Sequence, residues 1–570
     1  MASPSPPDHK YPGIRIEGKR STSPSSPGRR MTAARTFPPG ALIATFTDPL
    51  VAIPAGPAAK HTCARCLSTA AAAAGTTLKA CTGCRAVAYC GTACQRADWS
   101  GGGGGGAAHK AECRAFKRVR SKVQQDWLPT PVRALVQQLL RLDADADADA
   151  GGGGDAAREE LGRLEGNVAG FRAGRVWKDL EMQALAGCTY AGWETSEENL
   201  RLAAELLCKI QTNSFDRSDP DVGQTGTFLD STLAMVNHSC VPNAIVAFSG
   251  RKAFLRAEEE IKEGDEITIS YIDYTKPKIF RQHGLELYHF ECTCPRCKDD
   301  LDVYQVFQRS PLIPLNSFSF VPNTKKLRKT PIDSKVAQDP AFRAQIEKIY
   351  VACSPEARVA PEQRFANLCQ QWQHCEPLVR EQMWAVEPLA NVFQQAISYF
   401  TEQGNFLHAL AVECFVAIRS DPYKYAAPFK QWRLKGLLMI AKTITNTELP
   451  TGQAQGQAQV HPGVVAAFEK ADLSSLYQAI LLMTLKYGEQ AHSDEWSILA
   501  EAKAMLEDIE SLDQRKEASI ILHEWADNPE HPLAQSFFRD RAVKPVEELA
   551  GFAIEIMKAE FGSGKALVRR

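Results

Sequence analysis

At 570 residues the chain is longer than a single hydrophobic core usually supports, so we expect two to four domains. Its 66 Lys and Arg residues nearly balance its 67 Asp and Glu residues, and the net charge of -1 at pH 7 gives no overall electrostatic reason for a polyanionic partner. No apolar run is long enough to cross a bilayer, and residues 1–30 lack the apolar segment of a secretory signal. We therefore expect a protein of the nucleus, the cytoplasm or both, without a membrane partner.

Three stretches near the N-terminus have the composition of disordered or flexible chain. Residues 1–27 are rich in Ser, Pro and basic side chains and lack hydrophobic periodicity, which predicts a disordered tail. The hexaglycine at 101–106 predicts a flexible insertion. Residues 143–154 begin with alternating Asp and Ala and end in glycines, and they predict a second flexible insertion.

The first chemical motif is a set of eight soft metal-ligand side chains in closely spaced pairs. The pairs are Cys63 with Cys66, Cys81 with Cys84, Cys90 with Cys94, and His109 with Cys113. Structural zinc takes four Cys or His ligands, and a spacing of two or three residues lets one turn present both ligands to one ion. Disulfides are the alternative, but a long chain without a secretory signal favours metal thiolates. The pattern predicts two structural zinc ions.

A second group of motifs follows in the middle of the chain. The polar string Asn-His-Ser-Cys-Val-Pro-Asn occupies 237–243, and Gly-Asp-Glu-Ile-Thr-Ile-Ser-Tyr-Ile-Asp occupies 264–273. The residues between and around these strings have the pattern of short strands separated by turns. The predicted strands are 244–248, 253–257 and 266–271. This region is predicted to be a compact β unit.

Three further cysteines, Cys292, Cys294 and Cys297, come shortly after these strings. Three clustered thiolates need a fourth ligand to close a structural zinc site. Cys240 lies in the polar string and is the candidate for that ligand. The sequence thus predicts a third zinc ion.

Beyond about residue 340 the hydrophobic pattern changes to the period of a helix. Examples are Phe393, Ile397 and Phe400, and later Leu476, Ile480, Met483 and Tyr487. The spacing of Gly404, Ala409 and Pro422 loosely follows a tetratricopeptide unit, although no fixed period recurs. The C-terminal part is predicted to be all-helical, as an array of helical hairpins.

Together these motifs resemble the SET and MYND (SMYD-like) family of protein-lysine methyltransferases. Tyr89, Trp99 and the string His109-Lys110-x-Glu112-Cys113 look like a MYND finger. The strings at 237–243 and 264–273, followed by three cysteines, look like a SET domain with its post-SET segment. A weaker match to the SET opening begins at Gly28. The resemblance implies a SET fold that the finger interrupts.

The resemblance also implies roles for individual residues. The finger ligands would interleave, with Cys63, Cys66, Cys90 and Cys94 on one zinc ion and Cys81, Cys84, His109 and Cys113 on the other. The S-adenosylmethionine pocket would be formed by Arg29, Glu165, Asn167, Asn213, Asn237, His238, Tyr271 and Phe290. Tyr271 would orient the lysine amine, and Tyr288 would line the lysine channel with Phe290. The cofactors expected are S-adenosylmethionine and three zinc ions.

The predicted fold class is α+β and multidomain, with a split β-rich SET fold, a MYND zinc finger, a cysteine-rich post-SET segment and an all-α, tetratricopeptide-like C-terminal domain. The predicted segments are a disordered tail at 1–27, the first SET part at 28–62, the finger at 63–113, a helical insert at 114–200, the SET core at 201–275, the post-SET zinc segment at 276–300, a linker at 301–340 and the helical domain at 341–570.

The function this predicts is transfer of a methyl group to a lysine of a histone or another protein, by a chain expected to be monomeric. The finger would dock proline-rich peptides. One alternative is a noncatalytic adaptor or transcriptional regulator with a degenerate SET scaffold, because Arg30 occupies a position where the family normally has glycine. Another is a DNA-binding regulator, which would show salt-dependent affinity but is disfavoured by the balanced charge.

Overall fold

The structure is a computed structural model that describes residues 10–18, 28–68, 77–100, 108–119, 128–149, 156–219, 223–321, 327, 339–354, 361–449 and 460–562. The chain divides into two compact units. Unit 1 comprises Met1–Tyr271 and Leu285–Glu291, and unit 2 comprises Ile272–Gly284 and Cys292–Arg570. Unit 1 mixes small sheets with helices and the described part of unit 2 is helical, which confirms the predicted α+β class. No described helix is long and apolar enough to span a bilayer.

The twelve described strands all lie in unit 1. They are β1 (Ile14–Glu17), β2 (Arg30–Ala33), β3 (Leu42–Phe46), β4 (Val51–Pro54), β5 (Lys79–Ala80), β6 (Ala88–Tyr89), β7 (Phe215–Asp219), β8 (Gly223–Leu229), β9 (Asn237–His238), β10 (Ala244–Ser249), β11 (Lys252–Ala257) and β12 (Thr268–Ile269). They form five small sheets. Four sheets are antiparallel, and the pair β9–β12 is parallel.

Strand β1 corrects the prediction that residues 1–27 are entirely a disordered tail. It pairs with β2 over four residues, and Ile14 is fully buried beside Met31 and Ala33 in the core of unit 1. The alternation Ile14-Arg15-Ile16-Glu17 is a strand pattern that the overall composition of the segment concealed. The remaining residues of that segment, 1–9 and 19–27, lie outside the described part of the chain.

The β-hairpin β10–β11 agrees with the strands expected at 244–248 and 253–257. Its turn contains Gly250 with a φ of 53°, a left-handed conformation that glycine adopts without strain. The strand expected at 266–271 is shorter: only Thr268–Ile269 pairs as a strand, with β9, and Glu266 forms an isolated bridge to Thr32. The predicted strand is too long because the alternation of apolar and polar residues continues beyond the residues that pair with another strand.

The described part of unit 1 also contains seven α-helices, α1 (Thr92–Trp99), α2 (His109–Val119), α3 (Thr130–Asp149), α4 (Ala156–Gly162), α5 (Val168–Ala173), α6 (Trp177–Ala191) and α7 (Glu197–Asn213). Helices α3, α6 and α7 bury leucines such as Leu135, Leu180 and Leu207 in a core shared with the finger cysteines. Helix α3 continues to Asp149, so the Asp-Ala run expected to be flexible is helical there, because alanine is the strongest helix former. Residues 150–155 and the hexaglycine at 101–106 lie outside the described chain.

The helices that begin in unit 2 are α8 (Lys278–Leu285), α9 (Pro295–Lys298), α10 (Val303–Gln308), α11 (Pro340–Cys353), α12 (Pro361–His374), α13 (Glu376–Arg380), α14 (Leu389–Glu402), α15 (Phe406–Arg419), α16 (Asp421–Lys424), α17 (Gln431–Asn446), α18 (Pro462–Lys470), α19 (Leu473–Ala491), α20 (Ser497–Glu510), α21 (Lys516–Asp527), α22 (Pro532–Phe538), α23 (Lys544–Ala550) and α24 (Ala553–Phe561). The apolar stripes predicted around Phe393 and Leu476 lie on α14 and α19, in one large core. A helical C-terminal region is confirmed, and its likeness to tetratricopeptide repeats stays a prediction.

The first part of the expected linker at 301–340 is structured instead. Asp302 caps α10 through a capping box with Gln305, and Val303 and Phe307 are buried in the core of unit 2. The Asp302-x-x-Gln305 spacing ahead of Val306-Phe307 is a helix-start signal that the sequence prediction overlooked.

A buried carboxyl group in unit 2 gives a testable pH dependence. Glu413 on α15 is 5% exposed, and burial raises its pKa to about 8 although Thr443 donates a hydrogen bond to it. Because the folded pKa exceeds the unfolded value of about 4.3, the contribution of Glu413 to stability is fully present below pH 4.3 and is lost as pH rises toward 8. We expect Glu413→Gln to stabilise unit 2 at pH 7 by on the order of 3 kcal/mol.

Urea unfolding of both proteins between pH 5 and pH 8.5 measures this effect. The stability advantage of the Gln variant should grow with pH and level off near the folded pKa. An advantage that is the same at every pH would show that Glu413 does not retain its proton in the folded protein.

Candidate active site and zinc centres

Four of the finger cysteines converge in unit 1, and they are Cys63, Cys66, Cys90 and Cys94. Cys63 and Cys66 lie on a turn, and Cys63 forms an isolated β-bridge with Ala88 of β6. Cys90 follows β6, and Cys94 lies in the first turn of α1. The sulfur of Cys90 is 3.7 Å from that of Cys66 and 3.5 Å from that of Cys94. Four thiolates around one zinc ion, with bonds of about 2.3 Å, have sulfurs about 3.8 Å apart. The geometry therefore fits a tetrahedral zinc site.

The second ligand group interleaves with the first and is fully buried. Its members are Cys81, Cys84, His109 and Cys113, whose ligand atoms all lie within 4.8 Å of one another. His109 Nε2 is 3.6 Å from the Cys84 sulfur, and the Cys81 and Cys113 sulfurs are 3.9 Å apart. This grouping is the interleaved arrangement that the family resemblance implied, and the donor set fits zinc.

The second ligand group is supported by a buried charge network. His109 Nδ1 and a Glu112 carboxylate oxygen are 2.9 Å apart, which leaves Nε2 directed at the cysteines. Arg133 on α3 donates two hydrogen bonds to Glu112, and Gln137 donates a third. Burial alone would raise the pKa of Glu112, but the charge of Arg133 and the hydrogen bonds from His109 and Arg133 hold it well below its usual range. A carboxylate that fixes the ring of a ligating His in this way strengthens metal binding.

We expect Glu112→Gln to weaken zinc binding at this group by about 10- to 100-fold, because it removes the charge that orients His109 and leaves Arg133 buried without its carboxylate. Release of zinc to a chromogenic chelator measures the effect. Glu159→Gln, which removes an exposed carboxylate of unit 1, should release zinc at the wild-type rate. Equal release rates for both variants would exclude this role for Glu112.

The third cysteine group lies in unit 2. Cys292, Cys294 and Cys297 have sulfurs within 4.8 Å of one another, at the start of α9. Cys240, the fourth ligand predicted from the sequence, belongs to unit 1, where it is buried with its sulfur 3.3 Å from His238 Nε2. The three thiolates of unit 2 suit zinc, and the complete site stays a prediction.

A cluster of aromatic rings surrounds Tyr271, which follows β12. The ring centroid of Tyr271 lies 4.8 Å from Tyr288, 5.3 Å from His238 and 6.5 Å from Phe290. The Tyr271 hydroxyl donates a hydrogen bond of 2.5 Å to the carbonyl oxygen of Val236. Burial and the neighbouring Tyr288 and Glu266 raise the pKa of Tyr271 well above its ordinary value. The hydroxyl is therefore neutral at physiological pH, and its oxygen can accept a further hydrogen bond.

The turn that carries Tyr288 and Phe290 is shaped by its contacts with α5. His289, between them, has a φ of 58°, a left-handed conformation that is uncommon for any residue but glycine. Its ring packs edge-on against Phe171, and a Cβ on Gly170 would lie only 2.7 Å from it. The Asn167 side chain donates to the carbonyl of Tyr288 at 3.3 Å. Asn167 therefore lies at the edge of the aromatic cluster, where its hydrogen bond fixes the turn that carries Tyr288 and Phe290.

The strand pairing β9–β12 positions Asn237 and His238. His238 Nδ1 accepts a hydrogen bond of 3.0 Å from the backbone N–H of Tyr271, which fixes the imidazole beside that ring. The Asn237 side-chain amide donates to Glu266 at 2.8 Å and to the Arg29 carbonyl at 3.2 Å. The two sequence strings at 237–243 and 264–273 thus meet at one site.

A second group of predicted residues lies at the end of α7. The Asn213 amide donates to the carbonyl oxygens of Glu165 and Lys209, at 2.6 Å and 2.7 Å, so it fixes the loop before α5. On either side of it, Thr212 Oγ1 and Ser214 Oγ are buried, with no hydrogen-bond partner among the described residues. Buried hydroxyl groups without partners are costly, and a polar ligand would satisfy them.

Arg29 and Arg30 point in different directions. Arg29 donates from its side chain to the carbonyl of Arg163, and its own carbonyl accepts from Asn237. Arg30 is exposed and forms an ion pair of 3.0 Å with Glu17 across the β1–β2 pair. The Arg30 side chain is therefore held on the surface of the β1–β2 pair. This position argues against the alternative in which Arg30 makes the SET scaffold noncatalytic.

Several residues that support the site were not found from the sequence. Glu266 fixes Asn237, and Asn243 bonds both the carbonyl of Glu266 and the N–H of Thr268. Both lie within the recognised strings, so the strings themselves were the available signal. Gly170 and Arg133 gave no signal, because their roles depend on contacts with residues more than twenty positions away.

Comparison with known proteins supports this description of unit 1. Residues 28–272 match the sequence profile of the SET domain. The chain is 28% identical over 273 residues to "Histone-lysine N-methyltransferase ASHR1" of Arabidopsis thaliana, covering 48% of this chain and 53% of that protein. It is 31% identical over 222 residues to "SET domain and MYND-type zinc finger protein 6" of Schizosaccharomyces pombe, covering 39% and 41%.

A third similar protein is human "N-lysine methyltransferase SMYD2", 26% identical over 221 residues, covering 39% of this chain and 48% of that protein. The chain thus matches about half the length of these relatives.

Proposed function

We propose that this chain belongs to the proteins that combine a SET domain with a MYND-type zinc finger, and that it is a protein-lysine N-methyltransferase using S-adenosylmethionine. The observation that carries the proposal is the aromatic cluster of Tyr271, Tyr288 and Phe290 beside the paired Asn237–His238 strand. Its substrates would be lysine side chains of histones or other proteins; two of the similar proteins are named as a histone-lysine and an N-lysine methyltransferase.

The residues proposed to hold S-adenosylmethionine are those that the site brings together or fixes, namely Arg29, Glu165, Asn167, Asn213, Asn237, His238, Tyr271 and Phe290. The fit rests on the buried Thr212 and Ser214 hydroxyls next to Asn213 and on the polar backbone around Asn237. When bound, this cofactor supplies an activated methyl group on a cationic sulfur. The chain then needs only to orient a neutral amine and to exclude water.

The aromatic cluster suits the neutral form of a lysine amine. A lysine in water has a pKa of about 10.4, and an apolar environment lowers it because the charged form loses its solvation. Tyr271 donates its own proton to Val236, so its oxygen presents lone pairs as an acceptor for an amine N–H. Tyr288 would form the channel wall. In this scheme Tyr271 orients the amine and does not act as a base, because its raised pKa keeps it neutral.

The three zinc ions proposed here have structural roles and take no part in the methyl transfer. Each of the two finger groups is a closed set of four thiolate or imidazole ligands with no position left for substrate. We propose Cys240 as the fourth ligand of the third ion, as the sequence predicts. We propose that the finger surface docks proline-rich peptides.

Incubation with tritiated S-adenosylmethionine and a set of histones and other purified proteins tests the proposal. Acid hydrolysis of the labelled protein should release N-methyllysine, and the Asn237→Ala, His238→Ala double variant should produce none above background. Label that appears only on another residue type would refute lysine transfer. Wild-type protein that binds the cofactor but labels no protein in the set would favour the adaptor.

A further inference from the structure

Arg281 is the least exposed of the charged side chains that the structure describes in unit 2, and it lies outside every motif recognised in the sequence. It is on α8 and only 1% exposed. Its guanidinium donates to the Cys297 sulfur at 3.5 Å and to the carbonyl oxygen of Lys276 at 2.7 Å. The third guanidinium nitrogen, Nε, is buried without a hydrogen-bond partner in the described chain.

A buried guanidinium needs a negative charge nearby, because moving an isolated charge out of water costs many kilocalories per mole. Among the residues that the structure describes, no carboxylate lies within ion-pair distance of Arg281. The sulfur of Cys297 is the available anion. Three cysteine thiolates around Zn²⁺ carry one negative charge more than the metal neutralises, so a zinc-thiolate centre would provide the missing partner.

The neighbouring residue on α8 supports the same cysteine group. Gln282 accepts a hydrogen bond from the N–H of Cys292 at 3.0 Å and donates one to the carbonyl of Cys292 at 2.8 Å. Two consecutive residues of one helix therefore hold two of the three cysteines. Arg281 also fixes Lys276, five residues after Tyr271 along the chain.

We propose that Arg281 is a positioning residue for the zinc centre of unit 2, which compensates its thiolate charge and ties the metal to the segment that follows Tyr271. A hydrogen bond from a cation to a ligating thiolate lowers the electron density on the sulfur. The thiolate then reacts more slowly with electrophiles, and the metal is released more slowly. This role concerns the metal and does not depend on methyl transfer.

The test compares Arg281→Met and Arg281→Lys with Arg433→Met in the full-length zinc-loaded protein. Arg433 is a similarly buried arginine of the same unit, 4% exposed, whose guanidinium donates to the backbone carbonyls of Tyr425 and Ala426 and interacts with the charge of the Asp421 carboxylate, not with a cysteine thiolate. Iodoacetamide labelling, mapped by mass spectrometry, gives the reactivity of Cys292, Cys294 and Cys297. A chromogenic chelator gives the rate of zinc release.

We expect Arg281→Met to raise labelling of these three cysteines and the release rate of one zinc equivalent by about 10- to 100-fold, with the finger cysteines unchanged. Arg281→Lys, which keeps the charge, should lie within about threefold of the wild type, and Arg433→Met should match it. If Arg281→Met fails to fold, the Arg281→Lys variant tests the proposal instead. Labelling of the three cysteines raised tenfold or more in Arg281→Lys would overturn charge compensation. Wild-type labelling in a folded Arg281→Met protein would overturn the proposal as well.

Discussion

Tyr271→Phe is expected to lower kcat for methyl transfer by about 100- to 1,000-fold while the Kd for S-adenosylmethionine changes by less than about threefold. The substitution keeps the ring that packs on Tyr288 and removes only the hydroxyl oxygen, the atom proposed to orient the amine. Single-turnover transfer to a lysine peptide, together with calorimetric cofactor binding, separates the two effects. Tyr477→Phe, on a half-buried tyrosine of α19, is the matched control and should retain full activity.

The pH profile provides a second readout for the same residue. Because the pKa of Tyr271 is raised, its hydroxyl does not titrate in the working range, and kcat/KM should rise with pH from 7 to about 10 as the lysine loses its proton. A falling limb below pH 9.5 that disappears in Tyr271→Phe would mean that the hydroxyl titrates normally. Full activity of the folded Phe variant would remove Tyr271 from the mechanism.

The second large effect is expected from loss of a finger ligand. Cys84→Ser should abolish the zinc site that Cys84 shares with Cys81, His109 and Cys113, at a cost on the order of 10 kcal/mol, because the binding energy of a structural zinc ion is also folding energy. The finger cysteines share the core of unit 1 with helices α3 and α7, so that core should loosen with the finger. Thermal unfolding and zinc content per chain measure the change.

Cys188→Ser is the matched control for this prediction. Cys188 is fully buried in the same core, and its thiol donates to the carbonyl of Asn199, a residue outside the finger. It should keep its full zinc content and lose at most a few kilocalories per mole of stability. Equal zinc content and equal midpoints for the Cys84 and Cys188 variants would exclude a zinc-dependent finger.

Local sequence spacing was enough to predict the metal-ligand pairs, because two cysteines within one turn reach the same ion whatever surrounds them. The strings around Asn237 and Tyr271 were informative for a similar reason: each is a short turn-and-strand unit. Only the family resemblance placed residues of both strings at one site, and their pairing through β9 and β12 was not predicted.

Contacts between distant segments were the part that the sequence did not predict. Strand β1 was hidden by the polar composition around it, although Ile14 and Ile16 alternate as in a strand. Arg133, Gly170 and Arg281 act through single partners on other elements, and no periodicity marks such residues. The role of a buried charged side chain can be inferred only once its interaction partner is known.

The most direct test of this account is isothermal titration of the purified, zinc-loaded protein with S-adenosylmethionine, alongside the Asn237→Ala, His238→Ala double variant and Arg30→Gly. We expect saturable binding by the wild type and no measurable binding by the double variant. Because the wild-type Arg30 side chain pairs with Glu17 on the surface, Arg30→Gly should bind with an affinity within about threefold of the wild type. A folded wild-type protein that does not bind, or an Arg30→Gly variant that alone binds, would contradict the account and favour a noncatalytic adaptor.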